Sequence, residues 1–341
     1  MRFIVLDSES SYARGLTLGK MIRDICIHNL SFLKEELFRD GLSLEYGLRL
    51  GSENERAIAE HFPQLLEEIR GLAHGADLPY SYILLETAFP FVPNARSDCT
   101  LLSAFGAAAA DGTPLAGRNY DFLSGFSKCN QVRIVKKRNA KFSFVGGTVT
   151  ILGVEEGLNN AGLFIGDAGC EPRQLPSSRG LSSRQVMELV LENCSSVDGA
   201  VDFLRDAPKF ANSAGTCYLV VDKKEAVVVE MGLSRCCLRE SEEGTLVASD
   251  KFLTAAAEEM KPSEPTALTK YNLAMRHLRD NKGGIDEAVL QRLLSDHRIP
   301  ICAHTEPSTL RSVVAKTNQS KIMVSDGQPC TSMFHEVWIP T

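Results

Sequence analysis

Apolar positions in residues 1–90 recur with a helical period. From Tyr12 to Phe38 the stripe is Leu16, Leu18, Ile22, Ile25, Ile27, Leu30, Leu33 and Leu37, and Gly41 follows as a stop. From Asn54 to about Leu72 a second stripe carries Ile58, Phe62, Leu65, Leu66 and Ile69, with Gly71 and Gly75 expected to end the helix. Asp77-Leu78-Pro79 predicts a short helix through Leu85, and Pro90 and Pro93 close the helical segment. Beyond Pro93 the pattern changes to short apolar runs between turns. Strands are predicted over Cys99–Ala110, Pro114–Phe122, Gln131–Lys137, Phe142–Val145, Thr148–Val154 and Gly162–Gly166, with turns at Asp111–Pro114 and Gly157–Gly162. Ser183–Cys194 and Val197–Ala207 predict two helices, the second capped by Ser196. Strands return at Cys217–Val221 and Ala226–Glu230, and Arg235–Arg239 and Thr245–Ala248 are expected to extend the same sheet. Helices follow at Leu268–Arg279 and Asp286–Leu294, then a hairpin pairs Arg311–Ala315 with Lys321–Ser325. Helices cluster in pairs rather than alternating with single strands, which argues against a doubly wound parallel sheet. Two packed antiparallel sheets with helices outside each satisfy the order.

Composition adds exclusions. The 341 residues include 43 Asp+Glu against 37 Lys+Arg, a net charge of −6 that gives no general attraction for nucleic acid or an anionic membrane. No uncharged apolar run reaches the roughly 18 residues that span a bilayer. The first apolar stretch, Phe3 to Leu6, is stopped at once by Asp7, so no secretory signal is expected. Ten irregularly spaced cysteines without a C-x-x-C pair, Cys236 and Cys237 being adjacent, predict mostly buried thiols in a reducing cytoplasm. The nearest histidine pairs, His297/His304 and His61/His74, lack the i, i+4 spacing of a helical metal site, so no metal is expected.

Two short segments carry candidate chemistry. Cys99 stands at a strand start in Arg96-Ser97-Asp98-Cys99-Thr100, after a proline-broken loop. A cysteine needs a base, since its reference pKa of about 8.5 leaves little thiolate at neutral pH. If the Asp98–Cys99 bond is cut, the freed α-amine, with a reference pKa of about 7.7–8.0, can take the thiol proton. On composition alone Cys99 also reads as ordinary buried packing. The second segment is Gly117-Arg118-Asn119-Tyr120-Asp121-Phe122, where Arg118 and Tyr120 share one strand face and Asn119 and Asp121 the other. The turn at Asp111–Pro114 would lay this strand beside Cys99, and a solvated edge strand is the competing reading.

Cys99-Thr100 followed by Gly117-Arg118-Asn119-x-Asp121 resembles the N-terminal-nucleophile (Ntn) hydrolases of linear amides, which include the choloylglycine hydrolases and the acyl-coenzyme A:6-aminopenicillanic acid acyltransferases. Gln64–Ala76 resembles the helical pro-segment of the acyltransferase branch, Gly157–Leu163 its strand turn, and Lys321–Cys330 its last strand and turn. The resemblance implies an α+β protein: a four-layer αββα sandwich with an N-terminal helical pro-segment. Self-cleavage would give residues 1–98 as an α subunit and 99–341 as a catalytic β subunit, an αβ heterodimer whose higher assembly is left open. It implies Cys99 as nucleophile, Arg118 and Asp121 beside it, Tyr120, Phe122 and Asn159 as substrate-binding candidates, and a small-molecule amide or acyl thioester as substrate; core packing is the competing reading for Phe122, and turn formation for Asn159. No cofactor is implied, with acyl-coenzyme A a candidate acyl donor.

Three positions depart from the pattern. Asp250, in Leu246–Lys251, stands where the family has an Asn that donates to the oxyanion; an ionised Asp only accepts, while a turn Asp beside Lys251 is an equal reading. Lys270-Tyr271 replaces the Arg-aromatic pair of the choloylglycine branch, and Lys cannot form a bidentate carboxylate contact. Asp98 replaces the Gly common before the nucleophile. The expected activity is therefore an autoproteolytically activated amide hydrolase or acyltransferase. The alternatives are a catalytically impaired binding or scaffolding relative, and a cysteine transferase that works uncut.

Overall fold

A computed structural model describes residues 1–87, 99–137, 140–173, 180–209, 211–212, 215–241, 243–262, 265–298 and 301–340. The expectations placed on Pro90, Pro93 and Asp98 lie outside the described residues. In chain order the strands are β1 (Arg2–Ser8), β2 (Thr100–Ala104), β3 (Leu115–Phe122), β4 (Gln131–Lys137), β5 (Phe144–Thr148), β6 (Glu156–Asn159), β7 (Phe164–Gly169), β8 (Leu181–Ser182), β9 (Ala211–Asn212), β10 (Thr216–Val221), β11 (Ala226–Met231), β12 (Cys236–Arg239), β13 (Thr245–Ser249), β14 (Ser308–Lys316), β15 (Lys321–Asp326) and β16 (Phe334–Trp338). The α-helices are α1 (Ser11–Met21), α2 (Arg23–Arg39), α3 (Leu44–His61), α4 (Pro63–Ala76), α5 (Tyr80–Leu85), α6 (Ser183–Asn193), α7 (Val197–Asp206), α8 (Pro265–Asp280) and α9 (Glu287–Leu294).

Two sheets face each other. One has eight strands in the order β1-β4-β5-β6-β7-β10-β11-β12, the other six in the order β13-β2-β3-β14-β15-β16. Helices α6 and α7 cover the larger sheet, and α8 and α9 cover the smaller one. Strand alternation builds both cores at once. In β2, Leu101 belongs to the core between the sheets and Leu102 to the core under α8 and α9, where Val247, Leu278, Leu290 and Leu294 are also buried. The predicted αββα order is the observed one.

The structure corrects several local expectations. Residues 1–90 are not wholly helical: β1 alternates buried Ile4 and Leu6 with exposed Phe3 and Val5 and pairs in parallel with β4. The first predicted helix breaks at Ile22 (φ −121°), and the second is two helices because Pro63, without an N–H, starts α4. Of the expected strand Thr148–Val154 only Thr148 is in a strand, as the end of β5; a loop follows, where the Val149 amide donates to the buried Glu155 carboxylate (3.1 Å) instead of to a strand. After β12 the chain crosses to the other sheet, so β13 pairs with β2 instead of extending the first. A further strand, β16, lies beyond the predicted hairpin. The Ser196 and Asp286 side chains cap α7 and α9 by accepting from Gly199 and Val289 amides.

Gly71 and Gly75 lie inside α4, which ends at Ala76 with Asp77 in the left-handed region (φ 54°). They serve close approach. A Cβ on Gly71 would sit 2.1 Å from the Tyr12 carbonyl oxygen, and one on Gly75 2.2 Å from that of Leu16. Gly15 and Gly19 answer from α1, where a Cβ would meet Glu68 O at 1.9 Å and Leu72 O at 2.3 Å. Backbone atoms cannot move aside as side chains do. Gly71→Val is expected to cost about 3 kcal/mol or more by forcing α1 off α4. Thermal unfolding checks this against Gly125→Ala, where an added carbon meets nothing within 4 Å and the melting temperature should stay unchanged.

Candidate active site

Cys99 immediately precedes β2, and its thiol is buried. The antiparallel register pairs Thr100 with Asn119 on one side and with Ser249 on the other. Continued by one residue, it sets Cys99 between Tyr120 and Asp250. Arg118 faces the eight-stranded sheet, while Asn119 and Asp121 face α9 and α8, as the alternation predicts. The Arg118 guanidinium donates to the Cys99 sulfur at 3.5 Å, and the thiol is 3.8 Å from the Asp121 backbone carbonyl. Burial pushes the Cys99 thiol up to about 11, with Arg118 opposing and Asp121 and Asp167 adding to the rise. At neutral pH this is a neutral thiol.

Arg118 sits in a charged layer between the sheets. It pairs with Glu156 and with Asp167 (2.8 Å) and donates to the Glu155 carbonyl (2.7 Å). Arg311 on β14 binds Glu156 through two nitrogens (2.6 and 3.1 Å) and reaches Glu155 at 3.3 Å, where Arg184 also lies at 3.3 Å. Desolvation raises both carboxyls, yet Glu156 ends below its ordinary value because Arg311 and Arg118 both bind it closely. Glu155, held at longer distances, ends above it. The Arg118 and Arg311 guanidinium groups both lie near the Tyr120 ring, 4.9 and 5.1 Å from its centroid.

The Asp121 carboxylate points the other way. Thr309 donates its hydroxyl to one oxygen at 2.6 Å, and Lys270 lies 3.4 Å from the other. Lys270 was read from sequence only as a departure from an Arg. Its signal was its place on α8, where it shares the buried stripe with Ala267, Ala274 and Leu278. A buried lysine needs an anion, and Asp121 supplies it. Nothing in the local spacing marks Glu155, Glu156 or Arg311, because their partners come from distant segments.

Of the other candidates, Tyr120 and Phe122 stack on each other (5.8 Å between centroids), and Phe122 meets Phe126 edge-on as part of the core. Asn159 is elsewhere, at the β6–β7 turn. Its amide donates to the Leu191 and Cys194 carbonyls, and its oxygen accepts from Ala161 and Leu163, a set of bonds that ties the turn to the end of α6. Asp250 follows β13 and is half-buried near Cys170. His297 and His304, dismissed on helical spacing, meet at 3.1 Å between Nε2 atoms because both lie on loops.

The fold is that of the Ntn hydrolases. It is similar to the structure of penicillin V acylase from Agrobacterium tumefaciens at a TM-score of 0.51, with 14% identity over 70% of this chain and 86% of that one. Conjugated bile acid hydrolase from Clostridium perfringens aligns at a TM-score of 0.44, with 13% identity over 71% of this chain and 97% of that one. Residues 108–261 match the family of acyl-coenzyme A:6-aminopenicillanic acid acyl-transferase. That stretch holds Arg118, Tyr120, Asp121 and Asp250 but begins after Cys99. No curated protein sequence matches the chain. Among the described residues no helix is long and apolar enough to cross a membrane.

Proposed function

We propose that this chain is a cysteine Ntn amide hydrolase or acyltransferase, activated by its own cleavage between Asp98 and Cys99. The observation that carries the reading is the meeting of Cys99, Arg118 and the end of β3 at Asp121, in a fold shared with an amide-cleaving acylase. In this reading the freed α-amine of Cys99 takes the proton of the buried neutral thiol. The thiolate attacks the carbonyl of a small linear amide or acyl thioester, and a C–S bond forms. The leaving amine or thiol departs with the proton. Water, or a second amine, then releases the acyl group from Cys99.

In this scheme Arg118 favours the thiolate, opposing the effect of burial. Asp121, fixed by Lys270 and Thr309, holds the end of β3 and its carbonyl against the sulfur. Tyr120 borders the acyl group. Backbone N–H groups hold the oxyanion, and Asp250 helps only in its protonated form. All ten cysteines are unbridged, which fits a reducing cytoplasm. Asp250 also supports a second reading, a relative that binds without turning over. A thiol-reactive acyl probe separates the two: labelling at Cys99 supports the enzyme.

Intact mass tests the activation step. Wild-type protein is expected as two fragments, residues 1–98 and 99–341, while Cys99→Ala stays whole. An active wild-type preparation made only of uncut chain would refute the mechanism.

A further inference from the structure

Four side chains converge away from Cys99. His297 lies just beyond α9, Cys302 and His304 lie on the segment leading to β14, and Cys330 lies in the turn between β15 and β16. Their ligand atoms all fall within 4.8 Å of one another. His304 Nε2 is 3.1 Å from His297 Nε2, 3.1 Å from Cys330 Sγ and 3.6 Å from Cys302 Sγ, and the two sulfurs are 3.5 Å apart. A tetrahedral zinc with Zn–S of about 2.3 Å and Zn–N of about 2.0–2.1 Å requires edges of about 3.3–3.8 Å between its ligands. Four of the six edges lie at 3.1–3.6 Å, and the two from His297 to the sulfurs are no longer than 4.8 Å. At 3.5 Å the two sulfurs are in contact but not bonded to each other.

We propose that His297, Cys302, His304 and Cys330 form a structural zinc site. Two sulfurs and two imidazole nitrogens suit a borderline-soft ion that takes tetrahedral coordination without redox change. Binding displaces the two thiol protons, so the two thiolates balance the charge of Zn²⁺ and the centre is neutral. Four protein ligands leave no open position, which makes the role structural. The exposed faces of His297 and His304 give the ion a way in.

The site's position gives it a task. Asn119 donates to the Leu294 and Ile301 carbonyls (2.9 and 2.8 Å), stapling the ligand-bearing segment to β3. The Ala303 amide donates to Thr309 Oγ1 (2.9 Å), and that hydroxyl donates to Asp121. Zinc would therefore tie the ends of α9, the approach to β14 and the β15–β16 turn into one brace behind Asp121. The histidine spacing hid this because three ligands share the connection between α9 and β14 and the fourth, Cys330, comes 26 residues beyond His304.

Metal analysis of the full chain purified from zinc-supplemented medium tests the site. One zinc per chain is expected, with less than about a tenth of that in Cys302→Ser and His304→Ala. Because either variant could misfold, the second measurement uses wild-type protein stripped of metal and titrated with Co²⁺. A thiolate-to-cobalt charge-transfer band and intense tetrahedral d–d bands are expected at one equivalent, and Cys99→Ala should give the same spectrum. Wild-type protein without stoichiometric metal, a weak octahedral cobalt spectrum, or a Cys302–Cys330 disulfide in the purified protein would each overturn the proposal.

Discussion

Arg311→Met is expected to lower stability by about 3–5 kcal/mol, read by urea unfolding in a Cys99→Ala background so that one continuous chain unfolds. Arg311 is fully buried and holds Glu156, Glu155 and, at 2.5 Å, the Asn130 side-chain oxygen. Removing it leaves two buried carboxylates with fewer cations than they need. The pH dependence follows from Glu156. With Arg311 present its pKa lies below the ordinary value, so its contribution is present above the unfolded carboxyl range and fades as the pH falls through the folded pKa. Without Arg311 desolvation dominates and the folded pKa rises. Stability then falls as the pH climbs from the unfolded value through the folded one. The gap between the variant and its parent should therefore widen from about pH 5 to pH 8. Adding Glu156→Gln should recover part of the loss. A cost under about 1 kcal/mol without pH dependence would mean that the charged layer is solvated.

Alkylation of Cys99 in cut, wild-type protein is expected to abolish turnover of the acyl substrate by roughly 10⁴-fold or more. Cys99→Ala alone is ambiguous, since a chain that stays uncut loses activity whichever group does the chemistry. Labelling after maturation separates the two effects. In the uncut chain the thiol is buried and pushed up to about 11, so iodoacetamide should react slowly. Once the α-amine is free, it competes for the thiol proton and labelling should accelerate. Cut protein carrying one label at Cys99 and still turning over substrate would remove Cys99 from the mechanism.

The sandwich was legible because its signals are local. The paired helices with Ser and Asp caps, the Asp111–Pro114 turn and the alternation of β3 all follow from short spacings, and they set Arg118 and Cys99 side by side. What escaped depends on contacts between distant segments. Gly71 and Gly75 look like helix stops until α1 is packed against them. Lys270 and Arg311 look solvated until Asp121 and Glu156 are found in the same layer. Asn159 reads from sequence as a site residue or a turn former, and its amide bonds to the carbonyls of Leu191 and Cys194 are visible only once α6 is packed beside the turn.

Strand β1 gives severance an unusual outcome. It supplies the outermost strand of the larger sheet, hydrogen-bonded to β4 along Arg2–Ser8, while α1 grips α4 behind it. A cut after residue 98 would turn an intramolecular strand into a donated one, seated in another polypeptide without having moved. The released piece would have to break a row of main-chain bonds and bare a sheet edge before it could diffuse away. Such an enzyme would change its number of chains on maturation while its number of particles stayed the same. On a sizing column the precursor and the product would be indistinguishable, and only denaturant would tell them apart.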